Sequence, residues 1–370
     1  MKVLLAILTT TCIATGASVD LPPAFVAGME GSHTYRIPSI VVAHDGSLVV
    51  AAEARRTTWV DKSPTDVVVR RSTHDLIGWE VMSCPMPGNG VAMMDPCLVT
   101  GPHASRIILL AVRWPAQDGD DRNDTVAYQS DSNDDGRTWS SPAPARIGGL
   151  PKDARIQGLG PGSGFLTPDG AIIVPTRLAG AGWTRNCALR SVDDGKSWNA
   201  LGLGSAGGEF QIAPNPDGSW VALRRAGSRR AQCESRDGGA TWTQERVRDE
   251  LGTLESGCEG SLLAAGNVLL HAAPAGADAT PGHDNRGRLT LYRSTDKGVT
   301  WGEILLLHAS ASGYSSLARM TDGRVAVAWE SGEPPTFIRS RERPPGWMRI
   351  DVRILPADIA DPSKPLGKSR

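Results

Sequence analysis

Short apolar runs broken by Gly, Pro, Asp and Asn recur along the chain, and nowhere do apolar positions sustain the 3.6-residue spacing of an amphipathic helix. Four Asp-Gly dipeptides, Asp45-Gly46, Asp169-Gly170, Asp217-Gly218 and Asp322-Gly323, each stand between two such runs, which is a β-hairpin pattern. Equivalent turns fall at residues 101–106 and at Ala265-Gly266-Asn267, making six hairpins.

A second pattern runs in phase with the first. Ser-x-Asp-x-Gly-x-Thr/Ser-Trp occurs at residues 132–139, 191–198, 235–242 and 294–301, and residues 72–79 keep only its Ser and Trp. The steps between these starts are 60, 59, 44 and 59 residues, one structural unit each. The residues are those of a turn: Asp or Ser caps backbone amides, Gly takes a positive φ, and Trp packs on the next unit. Residues 131–136 imitate the opening of a calcium loop, but its twelfth position is Pro142 where a bidentate Glu is needed, so the boxes are read as structural. A first hairpin and a second one closed by the box give four antiparallel strands per unit. Six units predict an all-β, six-bladed β-propeller.

That topology predicts which residues share a face. In a four-stranded meander the first and third turns lie on the same side, so the Asp-Gly turns and the boxes occupy one face. Residues just before the first strand, after the second or at the start of the third face the opposite mouth. There the sequence places Arg36, Arg55 and Asp61 in the first unit, Asp95 in the second, Glu209 and Arg224 in the fourth, Arg286 in the fifth, and Tyr314 and Glu330 in the sixth.

Composition changes this picture little. The 370 residues are 40% hydrophobic with net charge −1, which argues for no nucleic-acid partner and no anionic membrane surface. Met1-Lys2, the apolar run over residues 3–14 and Gly16-Ala17-Ser18 read as a secretory signal peptide, too short to span a membrane. Residues 1–18 are therefore set apart from a single domain over 19–370, and a secreted or periplasmic location with no membrane insertion is expected. Five cysteines remain, Cys84, Cys97, Cys187, Cys233 and Cys258; the odd number leaves at least one free thiol, with one disulfide open. No spacing suggests a zinc site, and no metal or cofactor is expected.

Several arginines facing one cavity repel each other unless an anion justifies them, and a planar carboxylate accepts guanidinium forks bidentately. Arg36, Arg224 and Arg286 are the candidate clamp, with Glu330 holding Arg36. Tyr314 beside Glu209 pairs a nucleophile with a base, and Asp61 is a candidate general acid/base. A neutral phenol suits an electrophilic carbon that itself bears a carboxylate.

Tyr35-Arg36-Ile37-Pro38, the four boxes and the set Glu209, Arg224, Tyr314 and Glu330 resemble the sialidases over nearly the whole mature chain. The resemblance implies a retaining exo-α-sialidase that releases terminal sialic acid from sialylated glycans, using a tyrosine nucleophile. It implies catalytic roles for Asp61, Glu209 and Tyr314, and an arginine triad of Arg36, Arg224 and either Arg286 or Arg288, the former preferred because Leu289 follows it three residues later, as in related sialidases. It further implies that Arg55 and Asp95 border the sugar's 4-substituent. Asp66 is a second acid near Asp61. No Trp stands just before Arg286, which favours hydrolysis over transfer. The alternatives are an enzyme for another nonulosonic acid, such as the deaminated sugar, or a non-catalytic glycan-binding propeller. Oligomeric state and linkage preference are not legible.

Overall fold

The computed structural model describes residues 17–115, 125–204, 206–277, 283–333, 337–338 and 348–364, and almost every regular element in it is a β-strand. Nearly all of the expected signal peptide lies outside the described residues. Each expected hairpin forms the two inner strands of a blade. Blade 1 runs Thr34–Val42, Leu48–Arg55, Thr65–Arg71 and Ser83–Met86, with neighbouring strands antiparallel. Blade 4 repeats the plan with Phe210–Pro214, Trp220–Ala226, Arg229–Ser235 and Arg246–Val247. Blades 2, 3 and 5 begin at Ala92–Thr100, Arg155–Leu159 and Ser261–Ala265.

One strand, Gly302–Arg319, is the outer strand of blade 5 and then the inner strand of blade 6, with a register slip between Ser312 and Ser315. The ring is closed by the start of the domain: Val19–Asp20 and Phe25–Val26 pair with Arg349–Leu355 of blade 6. Pairing the first strands with the last covers the outer edge of Arg349–Leu355. Apolar residues of adjacent blades fill the spaces between them, as where Val41, Val49 and Val67 of blade 1 meet Leu98, Ile107 and Leu109 of blade 2.

The boxes are closed by their own side chains. Ser132 Oγ accepts the Gly136 N–H and donates to Asp134, both at 2.8 Å, while Asp134 Oδ1 accepts the Thr138 N–H at 2.9 Å. The same bonds recur around Asp193, Asp237 and Asp296. Gly136 has φ 84°, a conformation that a Cβ would strain. The tryptophans reach the preceding blade rather than the following one: Trp198 Nε1 donates to Gln129 in blade 2 and Trp301 Nε1 to Gln232 in blade 4. The turns and boxes do share one face. Asp45 in the turn of blade 1 accepts from Arg137 in the box of blade 2, and Asp217 in blade 4 accepts from Lys297 in blade 5, each at 2.7 Å. Among the described residues the five cysteines are free thiols, Cys84 exposed and the other four buried, so the disulfide left open by the sequence does not form between them.

Candidate active site

At the opposite mouth, three residues expected ahead of the inner strands sit within them, each at a β-bulge. Register slips between Arg36 and Ser39 in blade 1, between Met94 and Cys97 in blade 2, and between Ser312 and Ser315 in blade 6. Bulges re-aim side chains beside functional sites, and Pro38 and Pro96 supply residues with no N–H for the interrupted ladders. Ile37 and Asp95 pay a conformational penalty there, with φ of 56° and 55°.

Each strained peptide is pinned by a buried carboxylate from the neighbouring blade. Glu330, 0% exposed, accepts Ile37 N–H at 2.9 Å, Tyr314 N–H at 3.2 Å and a fork from Arg36 at 3.0 and 3.1 Å. Glu53 accepts Asp95 N–H at 2.9 Å and Arg55 Nε and Nη2 at 3.0 and 2.7 Å. Glu53 had no role in the sequence reading, yet it stands at the same blade position as Glu330, near the end of a second strand, and two residues from Arg55 on the same side of the strand. Gly313 is required beside this arrangement, because a Cβ there would lie 2.1 Å from Glu330 Oε2.

Tyr314 is 5% exposed, and its hydroxyl donates to Glu209 Oε1. Burial, and then the Glu209 carboxylate, push the phenol well above its ordinary range. Burial pushes Glu209 up, but Arg225, the Tyr314 hydroxyl and Arg177 together outweigh it and the carboxyl is lowered. The pair therefore rests as a neutral phenol facing a carboxylate.

The arginine over this pair is Arg225, and the assignment of Arg224 is corrected. Arg225 Nη1 lies 2.8 Å from Glu209 Oε2 and 3.1 Å from the Tyr314 hydroxyl. Arg224 forks onto Glu245 at 2.6 Å through Nε and Nη2. Alternate residues of a strand face opposite sides, so of two adjacent arginines only one can reach the mouth, and counting back from the next box cannot tell which. Arg36 and Arg286 complete the group, their guanidinium carbons 5.2 and 5.8 Å from the Tyr314 ring centroid. Arg288 is exposed with φ 57°, whereas Arg286 donates from Nε to Gly257 O at 2.9 Å, which separates the two candidates in favour of Arg286.

Asp61 reaches the cluster from the loop after the second strand of blade 1, 2.7 Å from Arg55 Nη1 and 3.7 Å from Arg36 Nη1. Partial burial opposes its ionisation, but Arg55 and Arg36 hold its carboxyl down to about 2. Asp66 instead takes Arg56 Nε at 2.7 Å and Gly88 N–H at 2.6 Å, away from this cluster. Asp95 behaves in the opposite way: burial raises it to about 8 against the pull of Arg177, with Glu53, Glu209 and Asp61 adding to the rise. Arg177, also absent from the sequence reading, approaches Asp95 Oδ2 at 3.7 Å across Gly158, where a Cβ would come within 2.3 Å of its Nη2. Glu259, 1% exposed at the entrance to blade 5, is the remaining acid missed; burial and then Glu209 raise it well above the usual carboxylate range. No group of three or more His, Cys, Asp or Glu arranged to hold a metal occurs among the described residues.

Four closed boxes in six four-stranded blades, with arginines and acids converging on one mouth, define a BNR-repeat β-propeller. The BNR repeat-like domain family matches residues 46–327, and the chain belongs to the sialidase family of such propellers. A sialidase of Bacteroides fragilis is 29% identical over 343 residues, covering 82% of this chain and 61% of that protein. A sialidase of Paraclostridium sordellii is 25% identical over 80% of this chain and 81% of its own. Among solved structures, the Hadza microbial sialidase Hz136 superposes with a TM-score of 0.73 at 23% identity, covering 90% of this chain and 68% of that one. The Trypanosoma rangeli sialidase does so at 0.72 and 20% identity, over 91% and 58%. The chain thus spans about three fifths of the length of the Bacteroides and Trypanosoma proteins.

Proposed function

We propose that this protein is a secreted, retaining exo-α-sialidase that hydrolyses terminal sialic acid from glycoconjugates without metal or cofactor. The observation that carries the reading is Tyr314 hydrogen-bonded to Glu209 beneath Arg36, Arg225 and Arg286. A base beside a neutral phenol makes a nucleophile, and three guanidiniums around it fit a carboxylate on the carbon under attack. A sialidase of the same fold, that of Trypanosoma rangeli, has been captured with 2,3-difluorosialic acid as a covalent intermediate, which supports the same route here.

In the first step Tyr314 Oη bonds to the anomeric carbon, its proton passes to Glu209, and the bond to the leaving oxygen breaks as Asp61 gives that oxygen a proton. In the second step Asp61 takes a proton from water, the water oxygen bonds to the anomeric carbon from the side the leaving group vacated, and Glu209 returns the proton to the departing phenol. The configuration is retained after two inversions. Asp61 must be protonated to begin, which its low value in the free protein forbids near neutrality. The substrate carboxylate supplies the remedy: seated on Arg36, it neutralises part of the positive field and excludes water, both of which raise Asp61. Arg55 and Asp95 border the sugar on that side. Residues 1–18 are assigned to export.

The reading is tested by fluorophore release from the α-ketosides of N-acetylneuraminic acid and of the deaminated sugar, with NMR detection of the first anomer formed. Turnover of N-acetylneuraminic acid with the α-anomer first is expected. Turnover of the deaminated sugar alone would change the substrate, and none with either would leave a glycan-binding propeller.

A further inference from the structure

Asp61 is two-thirds exposed in its side chain and sits on a surface loop, yet an acid/base group must meet the leaving oxygen at one place. A displacement of about 1 Å costs a reaction of this kind on the order of 100-fold. What fixes the loop is therefore part of the mechanism. Its stem is tied locally: Ser63 Oγ donates to Val60 O at 2.8 Å, Thr65 Oγ1 to Ser63 O at 2.7 Å, and Arg56 N–H to Pro64 O at 3.0 Å. Besides the longer approach of Arg36 to Asp61, two contacts bear on its tip. One is Arg55 Nη1, which takes both Asp61 and Trp59 O. The other comes from blade 2: Lys62 Nζ lies 4.8 Å from the centroid of the Trp114 ring.

The backbone is bent to make both. Lys62 has φ 63°, a left-handed conformation that turns Asp61 towards blade 1 and its neighbour Lys62 towards blade 2. Trp114 is a fixed platform, the last residue of the strand Ile107–Trp114, paired with Ala92, 7% exposed and packed in the core with Ala127 and Ile156. The two anchors differ in one respect. Asp61 has to loosen its bond to Arg55 in order to hold a proton, whereas nothing in the reaction disturbs the ammonium over the indole.

We infer that Lys62 and Trp114 are positioning residues that hold Asp61 over the leaving oxygen throughout the catalytic cycle. The proposal rests on the reading of Asp61 as the acid/base group of a sialidase. Its signature is selective. An alkoxide departing from a sialyl-galactoside needs a proton, but a nitrophenolate does not, so a loosened acid loop slows the first substrate and spares the second. The parameter to follow is kcat/KM, which ends at the first irreversible step and so excludes the later hydrolysis of the intermediate.

The experiment compares the parent with Lys62→Met, Lys62→Arg, Trp114→Ala and Trp114→Phe on a sialyl-galactoside and on the nitrophenyl α-ketoside. A cation–π contact of this kind predicts a loss of roughly 5- to 30-fold on the galactoside for Lys62→Met and Trp114→Ala. On the nitrophenyl substrate the loss stays within about 2-fold, since no general acid is needed there. Lys62→Arg and Trp114→Phe, which keep a cation and a ring, recover most of the galactoside activity. Lys62→Met is the decisive variant, because it removes only a half-buried ammonium and leaves the core intact even if Trp114→Ala fails to fold. Equal losses on both substrates, or none on either, overturn the proposal. A parent inactive on both substrates overturns the sialidase reading and takes this one with it.

Discussion

Glu330 is the carboxylate on which most of the site depends, and replacing it by Gln isolates what its charge does. Oε1 accepts Arg36 Nε and Ile37 N–H, and Oε2 accepts Arg36 Nη2 and Tyr314 N–H, all within 3.2 Å. Whichever way a glutamine amide is turned, one guanidinium N–H and one backbone N–H face an NH₂ group instead of an oxygen. The Arg36 cation, 8% exposed, then lacks its buried counter-charge. Breaking such a pair costs about 3 to 5 kcal/mol, including the donors left unsatisfied. Against a typical stability of about 5 to 15 kcal/mol the variant still folds. Urea unfolding measures the first effect, and KM for an aryl α-ketoside, expected to rise by at least about tenfold, measures the loosened Arg36, one arm of a carboxylate fork. A stability change below about 1 kcal/mol together with an unchanged KM would refute the assignment of Glu330 as the counter-ion that sets Arg36, since loss of a buried pair cannot be that small.

The adjacent arginines give a sharper contrast. Arg225→Ala should reduce kcat/KM by at least about 30-fold, the loss of a part-buried charged hydrogen bond at about 2 to 5 kcal/mol, while Arg224→Ala, which removes the fork onto Glu245 and a bond to Arg225 O, should cost far less; equal losses would show that both reach the mouth. For pH, the folded chain keeps Asp95 protonated up to about 8, whereas the unfolded chain releases that proton near 4, so the stability that Asp95 contributes is fully present below about pH 4 and is lost as pH rises towards 8. Asp95→Asn should flatten this decline without abolishing it, because Glu53 and Glu259 are raised in the same direction. Urea midpoints at about pH 5 and pH 8 check it, and parallel declines in parent and variant would contradict it.

The fold was legible because two independent patterns, the Asp-Gly turns and the boxes, repeat in phase, and each box is satisfied by bonds within eight residues. Long-range relations were not. The closure of blade 6 by Val19–Asp20 joins residues more than 300 apart, and no local pattern marks it. In the site, residues flanked by distinctive neighbours, such as Arg36 before Ile37-Pro38, could be placed by the chain itself. Arg225 could not, because two arginines side by side make the strand's two faces look alike. Glu53, Arg177 and Glu259 belong to neither repeated pattern, and only the bulges and the turn of the blades bring them to the mouth. The signal for Glu53 was present in its spacing of two from Arg55, the period that puts both on one face.

The central claim is that Tyr314 becomes covalently bound to the sugar. Incubating the parent with 2,3-difluorosialic acid and mapping the labelled peptide by mass spectrometry tests it directly. The expected result is one sugar per chain, carried on Tyr314 and absent from Tyr314→Phe. A label on Glu209 or Asp61, or a parent that turns over α-ketosides without ever accumulating a labelled Tyr314, would contradict it.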